Sequence, residues 1–325
     1  MRAIFTGSRL SYLSLIFISL LFFVSIVEAA DGGILNGGRA LVGVQLKVGE
    51  FDDSDAKQIL SSGFDFVRMG VWIDRLSDSN YRKKVDESLN IAVRGHVKVF
   101  LTVRNISFNK SISPQKDGYQ FGRAVSEFIR NHPENILAVE LWNEPEFNKN
   151  WPWMPYRSTF SEFMIGACKA LKDEPLGVPV AGFAFSKNPV NYQDDADIIK
   201  KIISSQPGCL TAISVHDYNV HLADVEKMVY WSRKSYGLPL IISEWGIPAT
   251  LNRGGEDGQA SEMSSVLGEL TSSGISAISI YQWKDINGGV GREDNFGLKD
   301  HNGRNKPALE IIAPRIKELK GVSRE

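Results

Sequence analysis

Residues 136–172 read ILAVELWNEPEFNKNWPWMPYRSTFSEFMIGACKALK. An apolar run at 136–142, with the length and composition of a buried strand, gives way to a polar and aromatic loop. The loop leads into a segment at 159–172 whose apolar residues recur at helical spacing. The rest of the chain repeats this strand, loop and helix unit. Strands are expected at 40–47, 64–72, 98–104, 136–142, 180–185, 210–215, 240–243 and 275–283. Helices are expected at 54–61, 81–93, 120–131, 159–172, 196–204, 223–236, 258–272 and 307–319. Gly63, Gly95, Gly237 and Gly274 fall just past helix ends, where a left-handed cap favours a residue without Cβ. Eight strands alternating with eight helices predict a parallel sheet closed into a single α/β (β/α)8 TIM barrel. An open doubly wound sheet would place a Gly-rich phosphate turn after the first strand, and KVGEFDDSD at 47–55 is not one.

The 325 residues carry 37 Lys+Arg against 38 Asp+Glu, a net charge of −1 that offers no excess of cations to neutralise phosphates. Nucleic acid is therefore excluded as the expected partner, and near-neutrality suits an uncharged saccharide. Arg2 and Arg9 precede an uncharged run at 10–27, followed by the small residues Ala29 and Ala30. This is the layout of a signal peptide at 1–29, predicting a secreted or periplasmic product. An uncleaved anchor is the alternative, because the run approaches the length that spans a bilayer. Residues 30–325 then form one catalytic domain, expected to be monomeric and without a membrane partner. Cys168 and Cys209 are expected to be two packed thiols rather than a bridge. Asn105-Ile-Ser107 and Asn109-Lys-Ser111 are sequons, relevant where secreted chains are glycosylated.

Barrel active sites lie at the C-terminal ends of the strands. Those ends carry Arg68 and Trp72, Arg104 and Asn105, then Trp142, Asn143 and Glu144. Further along come His216 and Tyr218, Glu244 and Trp245, and Tyr281, Gln282 and Trp283. Two of these are carboxylates delivered by apolar strands, Glu144 in LAVELWNEPEF and Glu244 in LIISEWG. An ionised carboxylate at the end of a buried run is costly unless paired. Two such groups facing each other suggest a dyad with one carboxyl protonated and the other ionised, the arrangement that cleaves glycosidic bonds.

These motifs resemble the retaining glycoside hydrolases of clan A, in particular the family 5 cellulase-like and family 39-like barrels. The resemblance implies Glu144 as acid/base, Glu244 as nucleophile, and Asn143 as the donor to the sugar 2-hydroxyl. It also implies that Arg68 holds the nucleophile ionised, that His216 and Tyr218 in SVHDY contact sugar and nucleophile, and that Trp283 in YQWKD floors the cleaved-sugar subsite. The tail NFGLKDHNGRNKPALEII looks like the common ending of the clan. One departure is TVRN at 102–105, where family 5 usually carries a His at its third strand. It weakens the likeness to family 5 specifically and leaves the likeness to the clan.

Tryptophan supplies a second signal, since indole faces pack well on sugar rings. Trp72, Trp151, Trp153, Trp245 and Trp283 are expected to bind substrate, with the loop 150–156 as a subsite wall. Glu140, on the same strand face as Glu144, is expected to be a buried structural carboxylate, and Glu146 a loop residue. His216 and His221 lie at a strand end rather than on one helical face, so neither a metal nor another cofactor is expected. The function expected is a retaining β-glycosidase acting on a β-linked poly- or oligosaccharide. Its competitors are a non-hydrolytic carbohydrate-binding barrel and a transglycosylase using the same dyad.

Overall fold

The computed structural model describes residues 38–286, 288–289 and 291–321. The expected signal peptide lies outside them. Eight strands form a closed barrel in chain order: β1 Leu41–Leu46, β2 Phe66–Trp72, β3 Lys98–Arg104, β4 Ile136–Leu141, β5 Val180–Phe185, β6 Ala212–His216, β7 Leu240–Trp245 and β8 Ala277–Ile280. All pairings are parallel, and β8 closes on β1. The helices after successive strands are α1 Asp53–Ser61, α2 Ser79–Arg94, α3 Pro114–Asn131, α4 Tyr156–Asp173, α5 Gln193–Ser205, α6 Leu222–Tyr236, α7 Gly255–Ser272 and α8 Pro307–Gly321. The expected TIM barrel is the fold observed. Among the described residues, no helix is long and apolar enough to cross a membrane.

Element boundaries depart from expectation where capping decides them. Helix α3 starts six residues before the expected 120, because Ser113 caps it and Pro114 occupies its first turn with φ already set. Strand β8 is shorter than 275–283 because pairing beyond Ile280 is irregular: the Tyr281 N–H bonds the Trp245 carbonyl and the Trp283 N–H the Gln45 carbonyl, but the Gln282 N–H between them turns to the Phe296 carbonyl. Gly63, Gly237 and Gly274 take positive φ, as a left-handed cap requires. Gly95 does not: its φ is −81° and His96 takes the left-handed turn at 53°. Glycine is needed there for a close approach, since a Cβ would lie 2.7 Å from the Ala56 methyl.

Alternation along the strands stacks two layers inside the barrel. The lower is apolar, with Phe66 and Phe100 packed edge to face at 5.8 Å among Leu137, Ala138, Ala181, Ala212, Ile241 and Ala277. Gly43 makes room for it, as a Cβ would fall 2.2 Å from the Phe66 ring. Two residues further along, the same strand faces carry Gln45, Arg68, Thr102 and Glu140. A dry plug thus supports a polar floor.

Cys168 of α4 and Cys209 ahead of β6 form a disulfide with Cα atoms 5.4 Å apart, correcting the expectation of two thiols. Both side chains are buried, so each bridges the other without exposing sulfur. Two positions 41 residues apart carry no pairing information until the fold sets helix beside strand.

Candidate active site

Six sequence-selected residues meet at the mouth of the barrel: Arg68, Asn143, Glu144, His216, Tyr218 and Glu244. The chain leaves β4 through left-handed residues at Trp142 (φ 81°) and Glu144 (φ 47°), a conformation non-glycine residues adopt only when their surroundings enforce it. The Trp142 N–H bonds the Val103 carbonyl at 2.9 Å, and the Glu144 N–H bonds the Ala184 carbonyl at 3.0 Å. Asn150 supports this turn from above, donating to the Glu144 carbonyl at 3.2 Å and accepting from Arg104 at 2.7 Å.

Arg68, only 2% exposed, organises the floor. Its Nη1 donates to Glu244 Oε1 and to Gln45 Oε1, each at 2.5 Å. Its Nη2 donates to Glu140 Oε2 at 2.7 Å and to Asn143 Oδ1 at 3.0 Å, and its Nε adds a bond to Glu140 at 3.0 Å. Thr102 gives Glu140 a further hydrogen bond at 2.7 Å. Glu140 is thus a buried structural carboxylate that fixes the guanidinium within the polar floor. Glu146, in the loop after β4, accepts a hydrogen bond from the Ser186 hydroxyl at 2.6 Å.

Glu144, His216 and Glu244 present one ligand atom each within 4.8 Å of one another, the one such grouping of potential metal ligands among the described residues. His216 Nδ1 lies 3.0 Å from Glu144 Oε1 and 3.4 Å from Glu244 Oε2. Tyr218 donates its hydroxyl to Glu244 Oε2 at 2.8 Å. Burial alone would raise the Glu244 pKa, but the charges of His216 and Arg68 and hydrogen bonds from Arg68 and Tyr218 outweigh it and hold the carboxyl below its ordinary value. His216 is pulled down by burial and pushed up more strongly by Glu244 and Glu144, so it lies above the ordinary imidazole value. Burial and then Glu244 raise Tyr218 well above the ordinary phenol value, so the hydroxyl stays a donor. The set can present an ionised carboxylate and a second carboxyl to one reacting atom.

Above these residues opens a cleft of about 910 Å³. Its aromatic lining is Trp72, Tyr81, Phe147, Tyr218 and Tyr281. Of the five tryptophans expected to bind substrate, only Trp72 lines it, and the other four need correction. Trp151 and Trp245 are fully buried and Trp283 is 1% exposed. Trp151 packs among Phe108, Trp142, Phe160 and Phe163 and donates to Thr159 Oγ1 at 3.0 Å. Trp283 donates to Asp55 Oδ1 at 2.7 Å beneath the rim, and Tyr281 is the strand-eight aromatic that faces the cleft. Trp153 stacks on Trp151 at 6.5 Å as a lid on that cluster rather than as a wall of the cleft. Indole is the largest apolar side chain, and in the 150–156 loop it anchors the loop to α4.

Sequence reasoning missed Gln45, Thr102 and Phe147. Gln45 and Thr102 were detectable from alternation, two residues beyond Gly43 and Phe100 on the same faces. Arg104 and Tyr281 stand at strand ends, the location that flagged the six residues above.

The family model described as Cellulase (glycosyl hydrolase family 5) matches residues 41–286, from the first residue of β1 to beyond β8. The chain belongs to glycosyl hydrolase family 5. It does so despite TVRN at its third strand. Solved structures of similar fold include a GH39 enzyme from Xanthomonas axonopodis pv. citri, with TM-score 0.64, 15% identity, and coverage of 87% of this chain and 66% of that one. A monomeric beta-xylosidase from Caulobacter crescentus CB15 matches with TM-score 0.63 and 15% identity over 84% of this chain and 67% of that one. A GH10 endoxylanase from a sugarcane soil metagenome matches with TM-score 0.64 and 12% identity over 85% and 97%. The family 5 chain thus spans about two thirds of the length of the first two. No curated protein sequence matches it.

Proposed function

We propose that this family 5 member is a secreted retaining β-glycosidase that cleaves a β-linked glycan by double displacement, with Glu244 as nucleophile and Glu144 as acid/base. The observation that carries this reading is the approach of the two carboxylates within 4.8 Å around His216, with Arg68 bonded to Glu244 and not to Glu144. That approach suits direct attack, for which about 5–5.5 Å between carboxyl groups is usual, rather than the about 6.5–9.5 Å usual where a water attacks first.

In the first step a Glu244 oxygen attacks the anomeric carbon while Glu144 gives its proton to the departing glycosidic oxygen. Arg68 and Tyr218 keep Glu244 ionised and aim it, so its charge is available without a separate deprotonation. Forming the glycosyl ester removes that negative charge. Glu144, left as a carboxylate by the first proton transfer, in the second step takes a proton from the attacking water. Asn143, fixed by Arg68 through its Oδ1, keeps its amide donors for a sugar hydroxyl. The net result is cleavage with the β-configuration kept.

The test is the configuration of the first product. Proton NMR during hydrolysis of an activated aryl β-glycoside should show the β-hemiacetal first, followed by mutarotation. Initial release of the α-anomer would overturn the mechanism.

A further inference from the structure

The overall charge balance conceals an uneven distribution around the cleft. Arg104, at the end of β3, is largely withdrawn from water, yet it has no carboxylate partner among the described residues. Its only side-chain hydrogen bond there is Nη1 to Asn150 at 2.7 Å, so Nε and Nη2 have no protein acceptor while the side chain lines the cleft. Beside it, the Trp72 indole carries two guanidinium groups, Arg104 at 5.9 Å and Arg75 at 5.3 Å from the ring centroid. Arg75 also lies 4.8 Å from the Tyr81 ring, and its nearest carboxylate, Asp78, is 3.7 Å away at the solvent edge.

Lys84 and Lys47 border the same wall, and neither has a carboxylate within ion-pair distance among the described residues. The Lys84 stem lies against Gly49, bringing its side chain to the loop after β1. Glu50 is the acidic residue among them. Burial lowers the Arg104 pKa, and the charges of Glu144 and Glu244 offset this only in part.

We propose that the glycan taken by this cleft is acidic, and that a uronate carboxylate on it docks between Arg104 and Arg75 over the Trp72 face, with Lys84 supplying longer-range attraction. This rests on the glycosidase reading above and specifies its substrate class. A planar carboxylate matches the two-pronged guanidinium donor set, and the aromatic face limits how the guanidinium groups can turn away. Docking there would place the uronate on the β1 to β3 side of the Glu144 and Glu244 pair, as a neighbour or branch of the sugar being cleaved.

The experiment compares glucuronoxylan, carboxymethylated β-1,4-glucan and carboxymethylated β-1,3-glucan, each with its carboxyl-reduced neutral counterpart. Calorimetric binding and hydrolysis are measured for both forms. At least one acidic glycan should bind at least tenfold more tightly than its reduced form, with a preference that falls as salt rises. Arg104→Gln and Lys84→Gln should each narrow the ratio toward one, and exposed Lys84 separates recognition from folding. Equal or tighter binding of every reduced form, or an unchanged ratio in both variants, would overturn the proposal. Turnover of an aryl β-glycoside is assayed in parallel: its absence would remove the glycosidase reading, while the binding ratio would still decide acidic recognition.

Discussion

Arg68 Nη1 lies 2.5 Å from Glu244 Oε1, and this contact joins the structural floor of the barrel to its reactive mouth. The same guanidinium is locked by Glu140, its neighbour in the polar floor, so the orientation of Glu244 depends on a second buried carboxylate. Replacing Arg68 by Met leaves two buried carboxylates without their cation. The expected cost is about 3–5 kcal/mol of stability, the range for breaking a buried pair. Activity should fall by about two orders of magnitude in kcat/KM, the scale of removing one preorganised charge contact. Because Arg68 helps hold the Glu244 pKa down, its loss should move the acidic limb of the kcat/KM profile to higher pH. An unmoved acidic limb in a folded variant would contradict this role.

Trp72 and Trp151 should separate in function. Trp151→Ala empties a fully buried site and should cost about 3–5 kcal/mol in thermal or denaturant unfolding, with KM little changed. Trp72→Ala removes a face of the cleft and should raise KM several-fold, since one aromatic contact is worth about 0.5–1.5 kcal/mol. A large KM effect from Trp151→Ala would restore it to the substrate groove.

The contrast between these residues shows what one sequence carries. Glu144 and Glu244 were legible because a carboxylate ending an apolar run is a conflict that folding must resolve, and the strand count then placed both at one rim. Arg68 and His216 followed by the same logic. Tryptophan has no such asymmetry: its type suits a sugar platform and a loop anchor equally, and only packing distinguishes Trp151 from Trp72. Arg104 was visible at a strand end, but its want of an ion-paired carboxylate among the described residues is a property of space, not of order along the chain.

Asp195, in the first turn of α5, is pushed up to about 7 by burial and by the nearby Glu146 charge. A folded-state pKa above the unfolded value means the folded protein holds the extra proton. Its contribution is therefore full at low pH and is lost as pH rises from about 4 through 7. Asp195→Asn cannot ionise and can still accept from Tyr156. The variant should gain more Tm relative to wild type at pH 8 than at pH 5; an equal change at both would refute this.

The Cys168–Cys209 bridge closes a loop with a sequence separation of 41 residues, for which chain entropy predicts about 4 kcal/mol of stabilisation. The double Ser variant should unfold at lower denaturant concentration than wild type while keeping its KM, because neither sulfur approaches the cleft. Coincident unfolding curves would show that the bridge contributes nothing.

The central claim is that Glu244 becomes covalently attached to the sugar. The most direct measurement is mass spectrometry of peptides after incubation with a 2-deoxy-2-fluoro β-glycoside carrying an activated leaving group, which slows release of the glycosyl-enzyme. The expected result is one added glycosyl mass on the peptide containing Glu244, absent from Glu244→Ala. A label on another residue, or turnover in Glu244→Ala equal to wild type, would contradict the account.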